Sequence, residues 1–158
     1  MLNLASLVLA GQVNLTSRPS FIGDPPEELG AFAWHCFKEQ GHQLKTQDVA
    51  QAFRKIPVNP APMVFTKTPA PGEGAVKVPV EFVAAGGTEF VVTTKDARSD
   101  VVSWTQIRDA AALLLLRCRA GYGFQWAGAV ENIGAAGFIL VILRNPSSPG
   151  LAPNALAV

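Results

Sequence analysis

Cys36, Cys118, His35 and His42 are the side chains of this chain best suited to nucleophilic or metal chemistry. Cys36 stands beside His35, and a thiol that can reach an imidazole becomes a reactive thiolate. On a strand, however, adjacent side chains point to opposite faces, so neighbourhood in sequence is weak support for that contact. As free thiols the pair reads differently: Cys118, on the apolar face of a helix, would be a small buried hydrophobe, and Cys36 the one able to react. A structural zinc centre takes four ligands in paired close spacings, whereas Cys118 is alone at its end of the chain, so no metal is expected. The carboxylates Glu27, Glu28, Asp48, Glu81, Glu89, Asp96, Asp100, Asp109 and Glu131 are spread along the chain without the pairing that hydrolysis would need. No catalytic residue and no cofactor are expected.

A second group of residues suggests recognition rather than reaction. Gly121-Tyr122-Gly123, with Phe124, Trp126 and Gly128, is glycine-rich, but it follows a helical pattern and precedes a strand, the reverse of a phosphate-binding loop. It reads as a helix C-cap and turn. If exposed, Tyr122, Phe124 and Trp126 would form a binding patch for a protein or carbohydrate; otherwise Phe124 and Trp126 cover the edge of the core. Asn14-Leu15-Thr16 is an N-glycosylation sequon, meaningful only on the secretory route.

Composition narrows the setting. Of 158 residues 49% are apolar, enough for a core without metals or dense cross-links, and 16% are charged, below the roughly 25% of a typical domain. Thirteen basic and twelve acidic residues, scattered, leave no electrostatic footprint for a nucleic-acid backbone. The longest helical apolar run, Ala110 to Leu116, is far short of the roughly 20 residues that span a bilayer. Met1 to Ala10 is apolar and ends in small residues, as the later part of a secretion signal does, but lacks a basic start; a clipped signal and a first apolar strand are the two readings.

The elements that would position these residues follow from periodicity. Residues 1–30 read as a leader, 31–145 as one domain and 146–158 as a proline-rich tail. Thr46 is placed as the N-cap of a helix over 47–56 whose stripe is Val49, Ala52, Phe53 and Ile56, ended by Pro57. The prolines up to Pro71 predict an irregular loop with one edge segment at Met63 to Thr66. Val76, Val78, Val80 and Phe82 alternate with polar residues and Pro79, and with Thr88 to Thr94 predict a hairpin whose first strand lies at an edge. Ser103 to Gln106 has the form of a capping box opening a helix from Trp104 to about Arg119, with Arg108, Arg117 and Arg119 on its solvated face. Phe138 to Leu143 is a continuous apolar run and predicts a central strand; a further strand is expected around Ala31 to Phe37. Together these predict an α+β fold, a two-layer α/β sandwich with two helices packed on one mainly antiparallel sheet.

Cys36-Phe37, Asp48-Val49 opening the first helix, Gly87-Thr88-Glu89 opening a strand, Trp104-Thr105-Gln106-Ile107 through Cys118, and the Gly121 to Gly128 region share their order with one group of proteins. Over about Trp34 to Arg144 the layout resembles small secreted fungal proteins of the necrosis-inducing effector and killer-toxin-like type. It departs from them at Val49 and Glu89, where that group carries two further cysteines, as though one disulfide had been lost. The resemblance implies that Cys36 and Cys118 form the surviving bridge, worth about 4–5 kcal/mol on a chain-entropy argument. It also implies a secreted, non-enzymatic effector-like or toxin-like protein of a filamentous fungus that binds a partner on another cell or on its own wall. The alternatives are a cytoplasmic small-molecule binder or accessory enzyme of similar build, and a self-associating coat or wall protein.

Overall fold

A computed structural model describes residues 32–38 and 43–147. The leader with Asn14, Glu27 and Glu28, His42, and all but the first two residues of the tail lie outside the described residues.

In chain order the elements are β1 (Ala33–Cys36), β2 (Gln43–Lys45), α1 (Thr46–Arg54), β3 (Met63–Thr66), β4 (Val76–Lys77), β5 (Val80–Val83), β6 (Glu89–Thr94), β7 (Asp100–Val102), α2 (Trp104–Arg117), β8 (Arg119–Gly121), β9 (Phe124–Trp126), β10 (Gly128–Ile133) and β11 (Ile139–Arg144). They form an antiparallel five-stranded sheet in the order β1-β10-β11-β6-β5, and two three-stranded sheets, β2-β9-β8 and β4-β3-β7. The last is mixed, β3 running parallel to β4 and antiparallel to β7.

The expected architecture of two helices on one sheet is therefore wrong: the protein is mostly β, with strands in three sheets among the described residues. The physical reason is strand length. β2, β7, β8 and β9 have three residues each and β4 has two, too short for an alternation of period two to be visible. β10 was hidden for another reason, since it starts at Gly128, which reads as a breaker. A Cβ there would lie 2.7 Å from the His35 carbonyl oxygen and 3.1 Å from the Cys118 sulfur, so the glycine marks a close approach inside a strand.

The predicted hairpin exists as β5–β6, with Gly87 in the turn at φ +83°. The run from Val76 to Phe82 is not one strand, however. β4 joins the mixed sheet, the Val78 N–H donates to the Thr66 carbonyl at 3.0 Å, a cis Val78–Pro79 peptide follows, and β5 then takes the edge of the large sheet. Residues 63–66 are not an edge segment either, because β3 lies between β4 and β7. β1 takes up the strand expected near Ala31 to Phe37 and sits at the opposite edge, while β11 is paired on both sides as its apolar run requires.

α2 begins as expected: the Ser103 hydroxyl accepts from the Gln106 N–H at 3.1 Å, and the Gln106 side chain accepts from the Ser103 N–H at 3.1 Å. It stops at Arg117, two residues before the predicted end, and Arg119 opens β8. α1 starts at Thr46 rather than after it. Lys45 is the N-cap, with no side-chain cap bond, and the Thr46 N–H donates to the Gly123 carbonyl at 2.9 Å.

Ile107, Ala110, Ala111 and Leu114 of α2 pack with Val49 and Ala52 of α1 over the inner face of the large sheet, where Phe90, Val92, Val130, Val141 and Leu143 point. Each such buried Val, Leu, Ile or Phe side chain contributes about 1.5–3 kcal/mol. Trp104 bridges the helix to both neighbouring sheets through edge contacts with Phe65 at 4.9 Å and Phe82 at 5.7 Å. On the other face of the large sheet Val91, Ala129, Leu140 and Ile142 form a second buried cluster joined by Phe37.

Candidate functional site

Cys36, at the end of β1, and Cys118, the residue after α2, are disulfide-bonded with their Cα atoms 5.4 Å apart. The reactive thiol imagined for Cys36 with His35 is thereby excluded; His35 instead lies 4.0 Å from a Glu131 carboxylate oxygen and stacks near Phe37. Val49 and Glu89, the two departures from the four-cysteine layout, both have other partners. Val49 is fully buried in the core, and Glu89 accepts from Arg144 Nε at 2.8 Å across the β6–β11 pair.

The bridge fixes the base of the β8–β9 hairpin. Next to it the Cys118 carbonyl accepts from the Trp126 N–H at 2.7 Å, and the Phe37 N–H donates to the Ala127 carbonyl at 2.8 Å. Gln125, buried between the exposed Phe124 and the half-buried Trp126, donates through Nε2 to the Leu114 carbonyl at 2.6 Å. That bond is the second one to a carbonyl that already accepts from the Cys118 N–H at 2.9 Å, and it fixes β9 to the helix. On its other side β9 pairs with β2, placing Lys45 opposite Phe124 and Gln43 opposite Trp126.

From this base the turn projects Tyr122. Gly121, Tyr122 and Gly123 all have positive φ, at +86°, +42° and +82°. Nothing lies within 4 Å of a Cβ built on either glycine, so they are needed for backbone conformation and not for space. Tyr122 is the exception among the three: a bulky L residue in the left-handed region costs about 1–2 kcal/mol. Its side chain is 105% exposed, so no packing offsets that cost. Phe124 is 42% exposed, while Trp126 is half-buried and packs against the core. Of the three aromatics expected as a patch, Tyr122 and Phe124 are exposed, and Trp126, on the same face of β9 as Phe124, is half-buried.

The charges on the three strands that carry the turn have one sign. Lys45 and Arg119 are exposed, and β2, β8 and β9 contain no Asp or Glu. Arg108, Arg117 and Arg119 do not form the solvated helix face predicted for them. Arg108 donates through Nη1 to the Ile56 carbonyl at 2.6 Å and lies 4.4 Å over the Phe53 ring, closing the end of α1. Arg117 lies 5.3 Å over Trp34, with its Nε buried and lacking a hydrogen-bond partner. Arg119 alone of the three is exposed.

Asp100 was lost among scattered carboxylates in the sequence. Buried at the start of β7, it accepts from the Val101 N–H at 2.7 Å, the Ala136 N–H at 2.9 Å and the Phe138 N–H at 2.8 Å. It thus fills from inside the curl of the 134–138 turn, whose outer side, with Lys95 and Asn132, lines a shallow depression of about 460 Å³. Lys95 there is held by Glu131 at 2.9 Å and by Asn132 at 2.9 Å. These groups satisfy one another, which assigns them to the fold.

Among the described residues no three His, Cys, Asp or Glu side chains are grouped as a metal site, and no helix is long and apolar enough to cross a membrane. Comparison with protein-family models, curated proteins and solved structures finds no match.

Proposed function

We propose that the chain is a secreted, non-enzymatic partner-binding protein of the effector-like or toxin-like kind found in filamentous fungi, with the β8–β9 turn as its contact element. The observation that carries this reading is Tyr122, a fully exposed aromatic held in a left-handed conformation on a firmly anchored hairpin. A strained residue persists where its surroundings over-determine it, and such residues cluster at ligand contacts. The Cys36–Cys118 bridge supports an oxidising setting, since disulfides of this kind persist outside the cytosol. The layout that resembles small secreted fungal proteins points the same way.

Tyr122→Gly separates binding from folding. Glycine accepts the turn geometry without strain, so the variant folds at least as well as the parent. Labelled parent and variant are incubated with intact fungal and plant cells and their isolated walls, and retained fluorescence is measured. The reading requires the parent to be retained and the variant to lose most of that retention; equal retention of the two rejects it.

A further inference from the structure

We infer that the partner met by the β8–β9 turn is an acidic polysaccharide, a polymer whose sugar rings carry carboxylates; this rests on the binding role proposed above for that turn. Three features lead to it. The first is the pairing of aromatic and cation: Phe124 is the register partner of both Lys45 and Gly121, so Lys45 stands beside Phe124 on the face away from Gln125, and Tyr122 is in the turn that follows Gly121; Arg119, the partner of Gln125, is not part of this group. Exposed rings stack on the C–H faces of sugars, and an ammonium group beside them pairs with a carboxylate.

The second feature is size. Three strands of three residues, at about 3.3 Å per residue and 4.8 Å between strands, span roughly 10 by 10 Å. That is small beside the roughly 800 Å² per partner of a stable protein–protein contact, and it suits a chain of sugars read one or two rings at a time.

The third feature is the near absence of aliphatic surface. Leu44, the aliphatic residue of β2, is buried, and the outward positions of β2 and β9 are Gln43, Lys45, Phe124 and the half-buried Trp126, none of them aliphatic. A lipid surface would call for apolar side chains to sink into the bilayer boundary. Here the neighbours of the rings are amide and ammonium groups, which hydrogen-bond hydroxyls and carboxylates.

The test is titration of soluble polygalacturonate into the full chain, with neutral laminarin, polyglutamate and vesicles of phosphatidylserine in phosphatidylcholine as competing chemistries. The inference expects polygalacturonate to bind best. It also expects binding to weaken about tenfold or more in the Lys45→Glu variant and on raising salt, since steering and pairing by exposed charges are screened. Tyr122→Gly should weaken it to a similar degree, showing that the rings take part. Equal binding of polyglutamate overturns the inference, because charge alone would then suffice; so does preference for vesicles. Tight laminarin binding untouched by the charge reversal overturns the acidic requirement yet keeps the turn as the contact. No binding of any sugar, with Tyr122→Gly still losing its hold on cells, overturns the inference and leaves the proposed function standing.

Discussion

Two glycine-rich turns of this protein, at 134–138 and 121–123, share a backbone device and use it in opposite ways. At 134–138, Gly134 and Gly137 take positive φ and the chain curls around the Asp100 carboxylate, which accepts two of its N–H groups, while the Ala135 N–H donates to the Val101 carbonyl at 2.9 Å. At 121–123 the glycines also have positive φ, yet they surround nothing; the tip is open and carries an aromatic ring into solvent. The first turn is closed by its own protein, and the second is anchored at its base and left open at its end. A left-handed glycine alone therefore does not mark a functional turn. What distinguishes one is whether the polar and apolar groups it displays already have partners.

Perturbing each turn should sharpen the contrast. The largest effect is expected from removing the disulfide: Cys36→Ser/Cys118→Ser releases an 82-residue separation and should lower unfolding free energy by about 4 kcal/mol, read from the denaturant midpoint. If the bridge chiefly serves the β8–β9 base, amide exchange at Ala120 and Trp126 should rise well before that at Ala136. Next is Asp100→Ala, which leaves the Ala136 and Phe138 N–H groups without their acceptor and should cost about 3 kcal/mol, since hydrogen bonds to charged groups are worth about 1.5–3 kcal/mol each. Retention of parental stability would show the 134–138 turn to be closed by something other than Asp100.

The paired alanine substitutions discriminate more finely. Gly134→Ala places a Cβ 2.5 Å from Asp100 Oδ2 on top of its backbone strain, whereas Gly121→Ala meets no atom and bears the strain alone. The former should destabilise by about 2–3 kcal/mol and the latter by about 1 kcal/mol in thermal unfolding. Equal losses would mean that the two turns differ in display only. Smallest, and opposite in sign, is Tyr122→Gly, which should raise stability by up to about 1 kcal/mol as strain is relieved.

How much of this was readable beforehand depended on length and on neighbours. Ser103 and Gln106 announced α2 because a capping box is a local, reciprocal arrangement. The run ending in Ile139 to Leu143 announced a central strand because both of its sides are covered. Val80 to Phe82 and Thr88 to Thr94 announced the hairpin through alternation. By contrast, β7 and β8 carry almost no signal in three residues, and the roles of Asp100, Arg108 and Glu89 depend on groups 36 or more residues away. The aromatics of the turn were visible as a candidate patch. Gln125, through its buried bond to α2, sets which side of β9 is the inside and so puts Phe124 and Trp126 together on the other; that Trp126 is half-buried there while Phe124 is exposed came only with the packing.

β5 also has a bearing on how copies of the protein meet. The large sheet ends there, and a bare sheet edge invites another chain to add a strand. Pro79, immediately before the strand, offers no N–H to such a visitor, and the exposed Glu81 would set its charge against the same residue of an antiparallel twin. With five apolar residues in succession on β11 just two strands inward, this guarded margin discourages the sheet from growing from one molecule into the next.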